Sequence, residues 1–358
     1  MEREYTLRVK KIEEALSRAL PRRPGQEWLE KHFPGLELDP ALVNDLVLPG
    51  RELLDRGGKR WRPLLSLLVC ETFGGNDAVL PLLPLVEFPH NASLIHDDIE
   101  DNSEQRRGKP AIHLLFGNDT AINSGCFLYF LPLACIEAWD APAEAKNGVW
   151  SLWAEHMRRL HLGQSMDIAW HRDFYSLPSI DEYLLMCRLK TGCLARFAAF
   201  LGAFCSGGCP EAAAERCGTA AEKLGVGFQI LDDVKNLSSG VPGKERGDDI
   251  VEGKKSLPVL LFLHGRDKAG CPARPAAGRA AFAASCFKAA REKGAGAAET
   301  AEFIEELERA GVIEEARQRG ETLIGEAKAA FGELPEAAGL PPENEAAGLL
   351  AGFTELLR

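Results

Sequence analysis

The sequence predicts an all-α fold in a single domain spanning residues 1–358, and three observations carry that expectation. Apolar residues recur at helical spacing along almost the whole chain. No segment alternates apolar and polar residues between turn signals, so no sheet is expected. No linker of altered composition divides the chain, and its 358 residues suit one large domain.

Residues 1–20 form the first expected helix, with Leu7, Val9, Ile12, Ala15 and Leu16 at helical spacing. A loop rich in Pro and Gly follows over 21–40. The stretch 41–75 reads as two helical segments broken at Gly57 and Gly58. Pro81, Pro84 and Pro89 punctuate the approach to DDIED (97–101). Segments 120–139, 149–173, 179–208 and 210–237 each have the length and periodicity of a helix. The Ala, Gly and Lys-rich stretch 267–300 is of low complexity and is expected as a poorly packed insertion or a solvent-exposed helix. Amphipathic helix resumes over 301–358, with a Leu-Pro break near 334.

Composition excludes several classes of function. The net charge of −11, with no dense basic block, argues against sequence-independent nucleic-acid binding, which needs clustered Lys and Arg. Ten cysteines are scattered without CxxC pairs; Cys205, Cys209 and Cys217 form the only cluster, and no nearby histidine completes a zinc site. The N-terminus is charged throughout, without a signal-peptide core, and no run reaches the ~20 apolar residues of a membrane span. The chain is expected in the cytoplasm with reduced thiols.

DDIED concentrates Asp97, Asp98, Glu100 and Asp101 at the end of an apolar run. On a helix Asp97 and Asp101 project from one face one turn apart, where like charges repel. Alone, the motif is better read as a solvated helix end. About 130 residues on, LDDVKN (231–236) repeats the spacing with Asp232 and Asn236, and Asp233 stands beside them. Two such clusters after apolar runs suggest inward carboxylates across a common cavity, which bound hard cations would neutralise. Positive charge gathers in GGKRWRP (57–63), QRRGKP (105–110) and GKERGDDIVEGKKSLP (243–258). Acids that hold metal, with Arg and Lys that share diphosphate oxygens, are what a metal–diphosphate site requires.

The run HNASLIHDDIEDNSEQRRGKPA (90–111) resembles the first aspartate-rich block of the trans-isoprenyl diphosphate synthases, the polyprenyl synthetase family. GGKRWRP, GQSMD (163–167), KTG (190–192), GFQILDD (227–233) and GDDIVEGKKSLP (247–258) resemble the remaining blocks in the family's order, over roughly residues 50–260. The uninterrupted DDIED and NSEQRRG are most similar to geranylgeranyl diphosphate synthases. The resemblance implies an isoprenoid synthase helical bundle around a central cavity and a homodimer. It implies Mg²⁺-dependent 1′-4 condensation of isopentenyl diphosphate with dimethylallyl, geranyl or farnesyl diphosphate, giving geranylgeranyl diphosphate. Farnesyl or longer products are the alternative. A terpene cyclase would not need GGKRWRP, and a non-catalytic partner subunit would lack one aspartate motif.

Carried over residue by residue, the resemblance assigns Asp97 and Asp101, supported by Asp98, to two Mg²⁺ ions, and Asp232, with Asp233 and Asn236 near it, to a third. Arg106, Lys190, Thr191, Gln229, Lys244 and Lys254 match positions around the allylic diphosphate. Gly58, Lys59, Arg62, His90 and Arg107 match positions that bind isopentenyl diphosphate. Ala92 and Ser93 stand where the family sets product length; both are small, so deeper side chains such as Phe127, Tyr129 or Phe130 would stop the tail. Two departures are Asn236, where many relatives carry an acid, and Pro89, expected to kink the helix before His90.

Overall fold

A computed structural model describes residues 2–240, 246–265, 274–341 and 344–357. Among these residues the chain forms eighteen α-helices and one two-stranded ribbon, so the fold is all-α as expected. The helices gather into two compact units: Met1–His156 with Leu194–Ala220 and Lys328–Arg358, and Met157–Cys193 with Ala221–Ala327.

In the first unit, the N-terminal helix Glu2–Ala19 buries Tyr5, Ile12, Ala15 and Leu16. Leu7, expected on that face, is instead exposed. Tyr5 takes the inner position, and its hydroxyl donates to the Leu349 carbonyl at 2.6 Å. Close helix crossings rest on small residues. A Cβ on Gly202 would lie 2.2 Å from the Ser66 carbonyl oxygen, so the helices Trp61–Thr72 and Cys193–Ser206 can meet only through glycine. The DDIED helix, Pro84–Glu100, packs against Asn118–Phe130, where a Cβ on Gly125 would come within 2.5 Å of His96 Nε2. Ser124 on the same helix donates to the Leu46 carbonyl at 2.8 Å and ties it to Asn44–Asp55.

The stretch Asn118–Ala138 has the length and apolar character of a membrane span, which the sequence reading did not anticipate. It consists of two helices, Asn118–Phe130 and Leu133–Ala138, and half of it is buried inside the structure. A strand pair also departs from the sheet-free expectation. Gln105–Arg106 pairs antiparallel with Lys109–Pro110. Arg107 and Gly108 form the two-residue turn with φ of +53° and +72°, the positive values that a tight hairpin needs at both positions. Arg56 Nη1 donates to the Arg106 and Pro110 carbonyls at 3.0 and 2.9 Å and fixes the ribbon.

The second unit is centred on Tyr183, Val226, Ile230, Phe262, Phe287 and Phe303. Glycine again sets the crossings: a Cβ on Gly163 would lie 2.4 Å from the Lys190 backbone nitrogen, and one on Gly225 would lie 2.9 Å from Gly192 Cα. The described part of the 267–300 stretch corrects its reading as a poorly packed surface segment. The helix Ala276–Lys293 buries Arg279, Ala283, Ala284, Cys286, Phe287 and Ala290. Its alanines allow close approach, and Phe287 packs edge-on against Phe303 with centroids 5.5 Å apart.

Lys255 lies under that helix. It is 3% exposed, and its Nζ donates to the Gly253 carbonyl at 3.0 Å and sits 4.3 Å from the Phe287 ring centroid. Burial pulls its pKa down from 10.5 to about 8; the Asp173 carboxylate opposes the shift and Arg291 adds to it. Below pH 8 both the folded and unfolded chains hold this proton, and the fold bears the whole cost of the buried charge. Between pH 8 and 10.5 the unfolded chain binds more protons, so stability contributed by this group rises with pH. Wild type should therefore gain unfolding free energy relative to Lys255→Met as pH rises from 8 to 10.5. Urea titrations of both proteins check this, and a difference that stays constant with pH would contradict it.

Candidate active site

The acids of DDIED separate into two roles. Asp101 ends its helix and gives its backbone N–H to the Asp97 carbonyl at 2.8 Å, so the last turn is intact and both carboxylates share one face. Both are half-buried. Two acids at the negative end of a helix repel each other and the helix dipole, and a cation would relieve both effects. Asp98 is fully buried and accepts hydrogen bonds from Arg106 Nε at 2.9 Å and from Arg106 Nη2. It aims Arg106.

Around the start of the helix Trp61–Thr72, the cations are held close together. Arg60 and Arg107 both adopt left-handed backbone, with φ of +48° and +53°. Such residues cost about 1–3 kcal/mol each and persist only where their surroundings hold them. Arg60 turns inward, donating to Glu87 at 2.8 Å, to Glu13 at 2.7 Å and to the Leu54 carbonyl at 2.6 Å. It is 3% exposed and serves as a structural ion pair, unlike Lys59, which is exposed beside it. Asn91 Nδ2 also donates to Glu87, at 3.0 Å. Arg107 donates to the Leu53 carbonyl at 3.0 Å and to the Gly57 carbonyl. A Cβ on Gly58 would sit 3.3 Å from the Arg107 guanidinium carbon, and the Gly58 φ of +139° also favours glycine.

Arg62 Nη1 lies 3.3 Å from His90 Nε2. Because arginine can only donate, that ring nitrogen accepts and the imidazole is neutral. Burial, then the charges of Arg62, Arg107, Arg106 and Arg60, holds His90 well below its usual pKa. Burial likewise lowers Arg107 to about 10; Glu87 opposes the shift, and Arg60, Arg106 and Arg56 add to it. This crowded positive field is suited to an anion. The helix Pro84–Glu100 continues through Pro89, and His90 reaches Arg62.

In the second unit, KTG lies in a π-helical turn, Arg188–Gly192, between the helices Ile180–Cys187 and Cys193–Ser206. Such widened turns are frequent at functional sites because they re-aim side chains. Lys190 Nζ donates to Asp167 of GQSMD at 2.7 Å. Thr191 Oγ1 donates to Gln229 Oε1 at 2.8 Å, and Gln229 Nε2 donates to Asp233 Oδ1 at 3.0 Å. Asp233 also accepts from the Tyr183 hydroxyl at 2.7 Å. Burial, opposed by those two hydrogen bonds, raises its pKa. Asp233 is thereby committed to the protein.

Asn236 corrects the expectation that its side-chain carbonyl stands ready for metal. Its Oδ1 accepts from the Asp249 backbone N–H at 3.2 Å, and the residue is 3% exposed. Of Asp232, Asp233 and Asn236, only Asp232 is exposed. Lys254 is ion-paired with Glu252, and Lys244 lies outside the described residues.

Of the residues assigned to product length, Ala92 is fully buried and Ser93 half-buried, its Oγ donating to the His90 carbonyl at 2.8 Å. Tyr129 stacks on His96 with centroids 5.9 Å apart, and Phe127 stacks on Phe33 at 6.3 Å. Phe130 is 64% exposed and does not line the interior. The sequence reading missed Glu87, Asn91, Arg56 and Tyr183. A lone acid in the apolar run LVEFP was the available sign for Glu87.

Asp97, Asp101 and Asp232 present the hard carboxylate oxygen that divalent cations favour. Among the described residues no three His, Cys, Asp or Glu side chains converge into a closed cage. Within the first unit, the pair Asp97 and Asp101 fits Mg²⁺, which takes one or two carboxylates and completes its shell with water and phosphate oxygen.

Residues 44–280 match the polyprenyl synthetase family. The chain is 36% identical over 226 residues to a short chain isoprenyl diphosphate synthase of Methanocaldococcus jannaschii, covering 61% of this chain and 66% of that protein. It is 35% identical over 219 residues to a geranylfarnesyl diphosphate synthase of Aeropyrum pernix, covering 59% and 68%. A geranylgeranyl pyrophosphate synthetase structure from Pyrococcus horikoshii superposes with a TM-score of 0.78 at 26% identity, covering 99% of this chain and 96% of that one. A polyprenyl synthase from Caulobacter crescentus, complexed with calcium and isoprenyl diphosphate, matches with a TM-score of 0.75 at 25% identity, covering 99% and 96%. With its motifs, its all-α architecture and all three comparisons in agreement, the chain belongs to the polyprenyl synthetase family of prenyltransferases, which make prenyl diphosphates.

Proposed function

We propose that this chain condenses isopentenyl diphosphate with an allylic diphosphate, 1′ to 4, and releases all-trans geranylgeranyl diphosphate. The observation that carries this reading is the contrast between two kinds of anion site. Asp97, Asp101 and Asp232 offer carboxylates for metal, whereas Lys59, Arg62, Arg107 and neutral His90 offer donors without one. A substrate that must ionise needs the first kind, and one that must stay intact needs the second.

Asp97 and Asp101 would bind two Mg²⁺ ions and Asp232 a third; bound Mg²⁺ neutralises the departing diphosphate. Arg106, aimed by Asp98, binds the same diphosphate with Lys190, Thr191, Gln229, Lys244 and Lys254. The allylic C–O bond breaks with its electron pair on diphosphate, leaving a delocalised cation. Arg62, Arg107 and His90 hold isopentenyl diphosphate so that its alkene attacks that cation. That attack forms the new carbon–carbon bond and leaves a tertiary cation, and a proton lost from the adjacent carbon to the released diphosphate restores a double bond.

Small Ala92 and Ser93 favour a product longer than farnesyl, since neither blocks a growing tail. The chain acts as one isoprenoid synthase domain in the cytoplasm, where its nine described cysteines, all unpaired, stay reduced. Leu114, Leu115, Ile122 and Phe130 leave an exposed apolar surface that suits pairing with a second copy.

Incubation with labelled isopentenyl diphosphate, an allylic diphosphate and Mg²⁺, followed by chromatography of the dephosphorylated product, tests the reaction. A twenty-carbon linear alcohol is expected; no incorporation refutes the function, and a cyclic hydrocarbon points to a cyclase. Asp97→Ala should lower turnover by about two or more orders of magnitude with the unfolding midpoint retained, because the acid serves charge development rather than packing. Near-normal turnover would remove Asp97 from the site. Ser93→Phe should shift the product toward shorter chains, and an unchanged chain-length profile would show that the tail does not pass Ser93.

A further inference from the structure

The C-terminal segment is built against the first arginine of the metal-free site. Within the first unit, the helix Glu345–Gly352 packs on Trp61–Thr72. It is pinned there at two points: Asn344 Nδ2 donates to the Thr72 carbonyl at 2.9 Å, and Tyr5 donates to the Leu349 carbonyl at 2.6 Å. The turn that follows buries Phe353 completely, its ring 6.4 Å from that of Trp61 and tilted by 45°. The Arg62 guanidinium lies 4.4 Å from the Trp61 ring centroid, and its Nη1 meets His90.

We propose that Phe353 and Trp61 form a positioning stack for Arg62, so that the C-terminal segment sets the affinity for a prenyl diphosphate bound without metal. Neighbouring residues on a helix do not face each other, so an indole lies against the next guanidinium only if its ring is held over. Phe353 is a buried wall that holds it. A stacked guanidinium cannot tilt, yet its N–H edge remains available to phosphate oxygen. Restraint matters here because Arg60, Arg106 and Arg107 repel Arg62, and a loose guanidinium would swing toward water.

This inference rests on the function proposed above, and calorimetric binding of isopentenyl diphosphate to the full chain separates the two. Trp61→Leu and Phe353→Leu should weaken binding about tenfold, while Trp61→Phe should stay within about threefold of wild type, as loss of a partly desolvated cation–π contact implies. In steady state the loss should appear in KM for isopentenyl diphosphate, with KM for the allylic substrate unchanged. Wild-type affinity in Trp61→Leu, or equal losses for both substrates, overturns the stack alone. A wild-type chain that binds no isopentenyl diphosphate overturns the assigned site and the stack with it. Should Phe353→Leu fail to fold, Trp61→Leu decides the matter.

Discussion

Packing Arg60, Arg62, Arg106 and Arg107 around His90 is the constraint on which the first unit's chemistry depends. Like charges at such density repel, and most of their solvent is gone. The answer in this fold is Glu87, a carboxylate 3% exposed that accepts from Arg60 at 2.8 Å and from Asn91 at 3.0 Å. Its charge favours the protonated forms of both Arg60 and Arg107. Removing one partner of such a buried pair typically costs about 3–5 kcal/mol, because the other charge is left uncompensated. Backbone carbonyls do the rest: Leu53, Leu54, Gly57, Arg106 and Pro110 all accept from arginine. The remaining positive potential suits the site to an anion.

Both aspartate clusters divide labour in the same way. In each, one acid is buried in a fixed hydrogen-bond network while another stays reachable. Asp98 is spent on Arg106, and Asp97 and Asp101 remain half-buried. Asp233 is spent on Tyr183 and Gln229, and Asp232 remains exposed. The buried acids orient the groups around them, through Arg106 in one case and the Gln229–Thr191 link in the other. Burial and reach cannot both belong to one carboxylate, so the doubled aspartates supply one residue for each task.

The helix class, the order of the motifs and the identity of the reachable acids and most cations were legible in the sequence. Helical periodicity and local spacing are properties of short segments, and the family's blocks lie in order along the chain. Asp97 and Asp101 follow from i, i+4 geometry alone, and the small size of Ala92 and Ser93 is read directly. What only the tertiary structure decided is which way each polar group turns. Asn236 looked like a metal donor until its carbonyl met the Asp249 N–H. The helix Ala276–Lys293 looked peripheral until Phe287 and Arg279 were found buried. In each case the deciding partner comes from another segment, and burial energy depends on that partner's position, which no local pattern records.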